Sequence, residues 1–287
     1  MDKRTELYND LHCRERGRKL YPVHKKLLPF TFRGRQCSDV NDLWDCFGFS
    51  SSDSLLDLGC GVGNTLITLA ERVGLSGLGI SISNNEVEAA RRNALDAGVS
   101  DRCSFHWGSF DTDLEFPFTR AIAIESIKHS HNLGAAAFRI FSQAEPGAFL
   151  YLVDDCFTGT AEGSEEKRLM KDWALVKLYS AKDFINAFYL AGFHLKEDVD
   201  LTSHVIPRSV SMLQLKILLF SFLLKLPLGK QRKNLLSVYR SGFILEKMFA
   251  QKKMTYRLLV FKKSDRKTSS LPNEIQSRST TPVHIGS

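Results

Sequence analysis

The run Leu55-Leu56-Asp57-Leu58-Gly59-Cys60-Gly61-Val62-Gly63-Asn64 constrains this chain more than any other stretch. A short apolar segment passes straight into three alternating glycines, and an apolar helical pattern follows over 64–73. Glycine lets a backbone turn sharply and approach a ligand with no Cβ in the way. Strand, glycine turn and helix in that order predict a βα unit whose turn can lie against a bound molecule. The glycines fall as Gly-x-Gly-x-Gly, with Asp57 two residues ahead of the first. That leaves no third glycine where G-x-G-x-x-G seats a pyrophosphate. A plain structural turn and a nicotinamide site stand as alternatives.

Strand and helix patterns alternate from there on. Strands are predicted at 54–58, 77–82, 103–107, 121–124 and 149–153, and helices at 64–73, 83–97 and 135–144. Ser83 is a good N-cap, with Glu86 placed to close a capping box, and Gly98 ends that helix. Pro146-Gly147 stops the helix at 135–144. The continuous apolar run at 121–124 suits a strand buried on both faces. This rhythm predicts an α/β fold: a parallel sheet with right-handed crossovers and helices on both faces. Residues 1–50 read as an N-terminal segment of helices and loops, and 51–263 as the main domain. Ser180, with Asp183 in the capping-box position, starts a helix that Gly192 ends. A strand at 194–197, a helix at 236–249 and a last strand at 255–261 complete the domain. An insertion at about 201–235 breaks the rhythm, and the polar stretch 264–287 reads as a disordered tail.

The loop with Asp57, Gly59, Gly61 and Gly63 resembles motif I of the class I S-adenosylmethionine-dependent methyltransferases, and the resemblance covers most of 50–155. It implies a Rossmann-like methyltransferase sheet with S-adenosyl-L-methionine as cofactor. The glycine loop would pass under the methionine part, and Asp57 would serve its amino-acid end. Many of these enzymes carry an acid at the end of the second strand to hold the ribose. Here the strand runs Gly77-Leu78-Gly79-Ile80-Ser81-Ile82-Ser83-Asn84-Asn85 and has none. It is similar instead to the sterol, tocopherol and cyclopropane-lipid subgroup, which implies Ser81 and Asn85 on the ribose side. After the third strand comes Trp107-Gly108-Ser109-Phe110, where the family commonly has an acid in place of Ser109. Ser109 would accept a hydrogen bond near the adenine amino group, and Phe110 would pack on the adenine face.

The fourth strand ends Ile124-Glu125-Ser126-Ile127-Lys128-His129-Ser130-His131-Asn132. Open α/β sheets bind ligands beyond the carboxyl ends of their strands. A carboxylate directly after an apolar strand is costly unless it has a partner or a task. The segment looks like the Glu-x-x-x-His pattern of the same subgroup, which implies that Glu125 and His129 face the acceptor. His129 would take the proton of a hydroxyl acceptor, or Glu125 would stabilise the cation formed on an alkene. The expected acceptor is a small apolar molecule: a terpenoid, sterol, quinone or other lipid-like compound.

Lys and Arg number 39 against 32 Asp and Glu, a formal charge of +7. That balance suits a nucleic acid, an anionic surface or simply a solvated basic face. A nucleic-acid methyltransferase is one alternative, but the Asp- or Asn-Pro-Pro-aromatic motif of base methylation is replaced here by Ile124-Glu125-Ser126-Ile127. No nucleic-acid partner is expected. A non-catalytic cofactor- or lipid-binding module is the other alternative, permitted by Ser109 and His131-Asn132. Cys13, Cys37, Cys46, Cys60, Cys103 and Cys156 form no C-x-x-C pair, so neither a metal nor a redox motif is expected, and a reducing, cytoplasmic setting fits. No signal-peptide pattern is visible. The run at 212–228 is strongly apolar yet short for a membrane span. A helix apolar all round must be buried or lie against lipid. Residues 201–235 therefore read as a helical cap over the acceptor pocket, with peripheral membrane contact through 205–228 as the other reading.

Overall fold

The computed structural model of the chain describes residue 5 and residues 27–109, 115–159, 163–205 and 207–264. Seven strands form one sheet: β3 (Ser54–Leu58), β4 (Ser76–Ser81), β5 (Cys103–Trp107), β6 (Phe118–Ile124), β7 (Ala144–Phe157), β8 (Phe193–Asp200) and β9 (Met254–Lys263). Their order is β5-β4-β3-β6-β7-β9-β8. From β3 the chain steps outward to β4 and β5, then returns to β6 on the other side of β3. Such a reversal opens a crevice beyond the carboxyl ends of the two central strands. The register sets Leu58 of β3 against both Ile80 of β4 and Ala123 of β6.

Helices cover both faces, because successive strand residues point to opposite sides. On one side Leu55 and Ile122 pack with α1 (Asn64–Val73), α2 (Asn84–Asp96), α4 (Ser164–Trp173) and α7 (Lys230–Ala250). On the other, Leu56, Leu58 and Ala121 pack with α3 (Leu133–Gln143) and α5 (Ala181–Ala191). The remaining helix, α6 (Val210–Leu223), lies against α7 and has only Leu213 and Ile217 buried.

Three expectations need correction. The sheet is not wholly parallel, since β9 enters antiparallel between β7 and β8. A strand's direction depends on where the chain re-enters the sheet, which local pattern does not carry. Residues 27–50 hold more than helix and loop. β1 (Phe30–Phe32) and β2 (Arg35–Cys37) make a hairpin, and a short 3-10 helix, Val40–Cys46, follows. Its two turn residues, Arg33 and Gly34, both have positive φ, as a two-residue hairpin turn requires. Arginine at the first of them hides the usual Asn-Gly signal. The last helix also begins at Lys230 rather than at 236.

Candidate active site

The glycine loop lies at the crevice. Gly59, Gly61 and Gly63 all have left-handed backbones, with φ of 84°, 52° and 86°. The Gly59 and Cys60 N–H groups both donate to the Ile80 carbonyl at 2.9 Å, which folds the loop over the end of β4. The other two glycines serve different ends. A Cβ on Gly63 would come within 2.8 Å of the Phe105 ring, so this residue lets α1 start close to β5. A Cβ on Gly61 would meet nothing within 4 Å. Gly61 thus borders open space, as a ligand cradle requires.

Asp57 is buried in the strand below this loop. Burial pushes its carboxyl up to about 7, against a single backbone hydrogen bond from Leu66 in the first turn of α1. Its Oδ2 has no hydrogen-bond partner. A buried carboxylate oxygen without a hydrogen-bond partner, beneath a loop of left-handed glycines, suits a cationic ligand group.

Ser81 ends β4. Its hydroxyl donates to the Glu86 carboxylate and accepts from the Ser83 N–H at 3.1 Å. Ser83 does cap α2, accepting from the Glu86 N–H at 3.3 Å. Glu86, read from the sequence only as a capping residue, is buried beside Ser81, whereas Asn85 is exposed. An acid thus reaches the end of β4 from the first turn of α2 rather than from the strand itself. Trp107 is held over the strand end by its Nε1 donating to the Ile82 carbonyl at 2.9 Å. Ser109 follows half-buried, and Phe110 lies outside the described residues.

Across the crevice, Glu125 leaves β6 with φ of +50°, a strained conformation for a residue with a side chain. Its N–H donates to the Val153 carbonyl at 2.8 Å, and its Oε1 accepts from the Tyr256 hydroxyl at 2.9 Å. Ser126 donates to the Leu58 carbonyl, which ties this turn to the glycine loop's strand. His129 is buried in the short 3-10 turn Ile127–His129, its ring 6.4 Å from that of Trp173.

Sequence reasoning missed the groups around these two. The Lys128 ammonium is buried between Asp154 Oδ1 at 2.9 Å and Asp155 Oδ2 at 2.7 Å. Desolvation opposes its charge, yet Asp154, Asp155 and Glu125 hold its pKa well above the ordinary lysine value. Burial raises Asp154 to about 6 even with Lys128 beside it. The Asp154-Asp155 pair follows the apolar run 149–153 in sequence just as Glu125 follows 121–124, so the same signal was there to read. Tyr256 was not findable that way, since it arrives on the antiparallel β9. The pocket over Lys128 and Asp155 has apolar walls from Leu169, Trp173, Leu175, Leu178, Leu245 and Met254. These come from α4, α7, β9 and the loop after α4, and no lining residue lies within 201–235. Ion pairs Arg240–Asp172, Lys247–Glu165 and Lys253–Glu166 fasten α4 over it. Among the described residues no three His, Cys, Asp or Glu side chains gather as a metal site.

A family model described as a methyltransferase domain matches residues 25–197, well over half of the chain. The chain belongs to that methyltransferase family. Among curated relatives of this chain, an O-methyltransferase of Pyrenophora dematioidea is 27% identical over 170 residues, 55% of this chain and 60% of the relative. A sterol 24-C-methyltransferase of Eremothecium gossypii is 26% identical over 162 residues, 53% of this chain and 43% of the relative. The chain spans only 43–60% of the length of these relatives. In fold it is similar to the geranyl diphosphate C-methyltransferase of Streptomyces coelicolor, solved with S-adenosyl-L-homocysteine. That match has a TM-score of 0.66 at 14% identity, covering 91% of this chain and 98% of the other. The [4+2]-cyclase SpnF matches with a TM-score of 0.65 at 19% identity, over 91% and 93%.

Proposed function

We propose that this chain transfers a methyl group from S-adenosylmethionine to a small apolar acceptor. The observation that carries the reading is Gly61: a left-handed backbone with open space where its Cβ would go, above the unpartnered oxygen of buried Asp57. Asp57 receives the cationic amino-acid end of the cofactor, and Gly59, Gly61 and Gly63 let the loop lie flat against it. Ser81 and Glu86 together form the ribose end, and Ser109, with Phe110 beyond it, the adenine end. Bound there, S-adenosylmethionine supplies a methyl group on a positively charged sulfur.

The rest is positioning and water exclusion by the chain's own side chains. Tyr256 holds the Glu125 carboxylate at the end of β6. Glu125 opposes positive charge as it grows on an alkene or amine, and His129 takes the proton of a hydroxyl acceptor. Relatives named for sterols and geranyl diphosphate favour a hydrocarbon-rich molecule. We read 205–228 as a segment that meets the phase in which such an acceptor dissolves.

A [4+2]-cyclase shares this fold, so cofactor binding and methyl transfer need separate tests. Calorimetric titration should give heat with S-adenosylmethionine and its demethylated product, and none with a nicotinamide dinucleotide. Labelled methyl from the cofactor should appear in a lipid extract incubated with the chain. Cofactor binding without any transfer to lipid would leave a binding module, and nicotinamide binding alone would overturn the reading.

A further inference from the structure

Helix α6 exposes what a free helix in water ordinarily hides. Met212, Leu215, Leu219, Phe222 and, just past its end, Leu226 follow one another at spacings of three and four, which puts them on one face. Leu218 lies beside them. Leu215 is 69% exposed and Phe222 61%. Of the sixteen large apolar side chains exposed among the described residues, seven fall between Val210 and Leu226. A contiguous apolar patch of this kind marks an interaction surface.

Charge says what covers it. Residues 201–250 carry eight Lys or Arg and one acid, Glu246, an excess of seven that equals the excess of the whole chain. The rest of the chain sums to zero, a basic 251–287 with eight Lys or Arg and two acids being offset by an acidic 51–200. The hairpin is thus one of two strongly basic stretches, and the one that carries the apolar stripe. Glu246 is already held by Arg208 through both carboxylate oxygens. Lys225, Lys230, Arg232 and Lys233 fall within nine residues at the turn that closes the apolar stripe, and the first three are exposed. An apolar stripe ending in a basic cluster matches the boundary between acyl chains and acidic headgroups. Fourteen residues of helix reach about 21 Å, short of a roughly 30 Å hydrocarbon core, so α6 would lie along a surface rather than cross it.

We propose that α6 and the α6–α7 turn dock on an anionic lipid bilayer, the stripe entering the interface and Lys225, Lys230 and Arg232 meeting acidic headgroups. This rests on the reading of 205–228 as a membrane-contacting segment and adds the charge of the surface and the residues that sense it. Helix α7 packs against both α6 and α4, so the docked hairpin is continuous with the apolar wall over Lys128 and Asp155.

The test is flotation of the full chain with vesicles of phosphatidylcholine alone and of phosphatidylcholine mixed with phosphatidylglycerol. The mixed vesicles should carry the chain, with binding falling steeply as salt rises, and neutral vesicles should carry far less. Lys225→Gln with Arg232→Gln should remove only the anionic increment, about fivefold per charge and so about 25-fold together. Leu218→Asp with Phe222→Asp should abolish both modes. Calorimetry with S-adenosylmethionine should give unchanged affinity in both variants, which separates loss of docking from loss of fold or cofactor site. A wild-type chain that stays in the buffer with both vesicle types overturns the proposal, and so does equal binding to both. A second copy covers the face instead if carbene labelling of the vesicle-free chain already spares Leu215 and Phe222 and light scattering shows a dimer that the Asp variants split. Vesicle docking with no cofactor binding would leave this proposal standing and remove the enzymatic one.

Discussion

Strand β3 and helix α6 are both rich in leucine, and they treat it in opposite ways. Leu55, Leu56 and Leu58 of β3 are wholly buried, while Leu215, Leu218 and Leu219 of α6 face outward. An apolar run thus says that water is unwelcome, and the architecture around it decides what replaces water. In β3 the replacement is protein on both faces of the sheet. In α6 one side, with Leu213, Ile217 and Phe220, packs on α7, and the exposed stripe is left for a partner. The same contrast runs through the charges. Lys128 is sunk among carboxylates in the sheet half, whereas Lys225 and Arg232 stand in solvent on the hairpin.

Five predictions would break or sharpen that comparison. Lys128→Met should lower stability by about 3–5 kcal/mol in denaturant titration at neutral pH, because it strands Asp154 and Asp155 in the interior. The deficit should shrink as pH falls toward the Asp154 value of about 6, because without Lys128 the buried carboxylates take up protons at a higher pH than in the native chain. Leu215→Ser on the exposed face should shift stability by no more than about 0.5 kcal/mol. Equal losses in the two variants would erase the distinction between the halves.

Gly61→Val should weaken S-adenosylmethionine binding by about 100-fold or more, roughly 2.7 kcal/mol, by filling the cradle. The left-handed backbone there adds about 1–2 kcal/mol of strain to the fold itself, so melting temperature and affinity must be read together. Unchanged affinity in a folded variant would make the loop a turn and nothing more.

On the acceptor side, His129→Ala should cost about 100-fold in turnover if oxygen is methylated, with the loss shrinking as pH rises. If an alkene carbon is methylated, Glu125→Gln should be the more damaging change. Cofactor affinity should hold in both, and full turnover in both would remove these residues from the site. Tyr256→Phe should act more gently, lowering turnover several-fold and leaving cofactor affinity alone, since it frees the Glu125 carboxylate without removing it.

The smallest effect is in pH dependence. Asp57 is raised from 3.8 to about 7 by burial, so between those values the folded chain holds a proton that the unfolded chain has released. Stability of the cofactor-free chain should therefore fall as pH rises through that window, by at most a few kcal/mol. Affinity for the cationic cofactor should rise over the same interval, as Asp57 ionises. Asp57→Asn should flatten both curves, and a curve unaltered in the variant would assign the slope to Asp154 instead.

How much of this was legible in the sequence follows from the range of the forces involved. Strand β3, the glycine loop and α1 are set by neighbours a few residues away, and their bounds were read correctly. The same holds for the Ser83 cap and for the Ser180–Asp183 capping box. The antiparallel entry of β9, the β1–β2 hairpin and the Tyr256–Glu125 bond join residues far apart in the chain, and periodicity carries no record of them. Glu86 illustrates the border between the two. Its place in the first turn of α2 was plain, but a carboxylate there can turn back to its own cap or reach the preceding strand. Only the packing of α2 on β4 decides that it reaches Ser81.

The placement of β9 bears on how the molecule comes into being. Chains are synthesised from the amino end, and β9 is the last strand of the sheet to leave the ribosome. By then everything from β3 to Glu125 has emerged, including the glycine loop, Asp57, Ser81 and Glu86. The slot between β7 and β8 stays open until Met254–Lys263 arrives, and with that strand come Tyr256 and the Met254 wall of the pocket. A ribosome that stalls before the codon for Met254 leaves a product with the glycine loop yet without the strand that brings Tyr256 to Glu125. The codons for Met254–Lys263 are therefore as indispensable to this arrangement as those for the glycines.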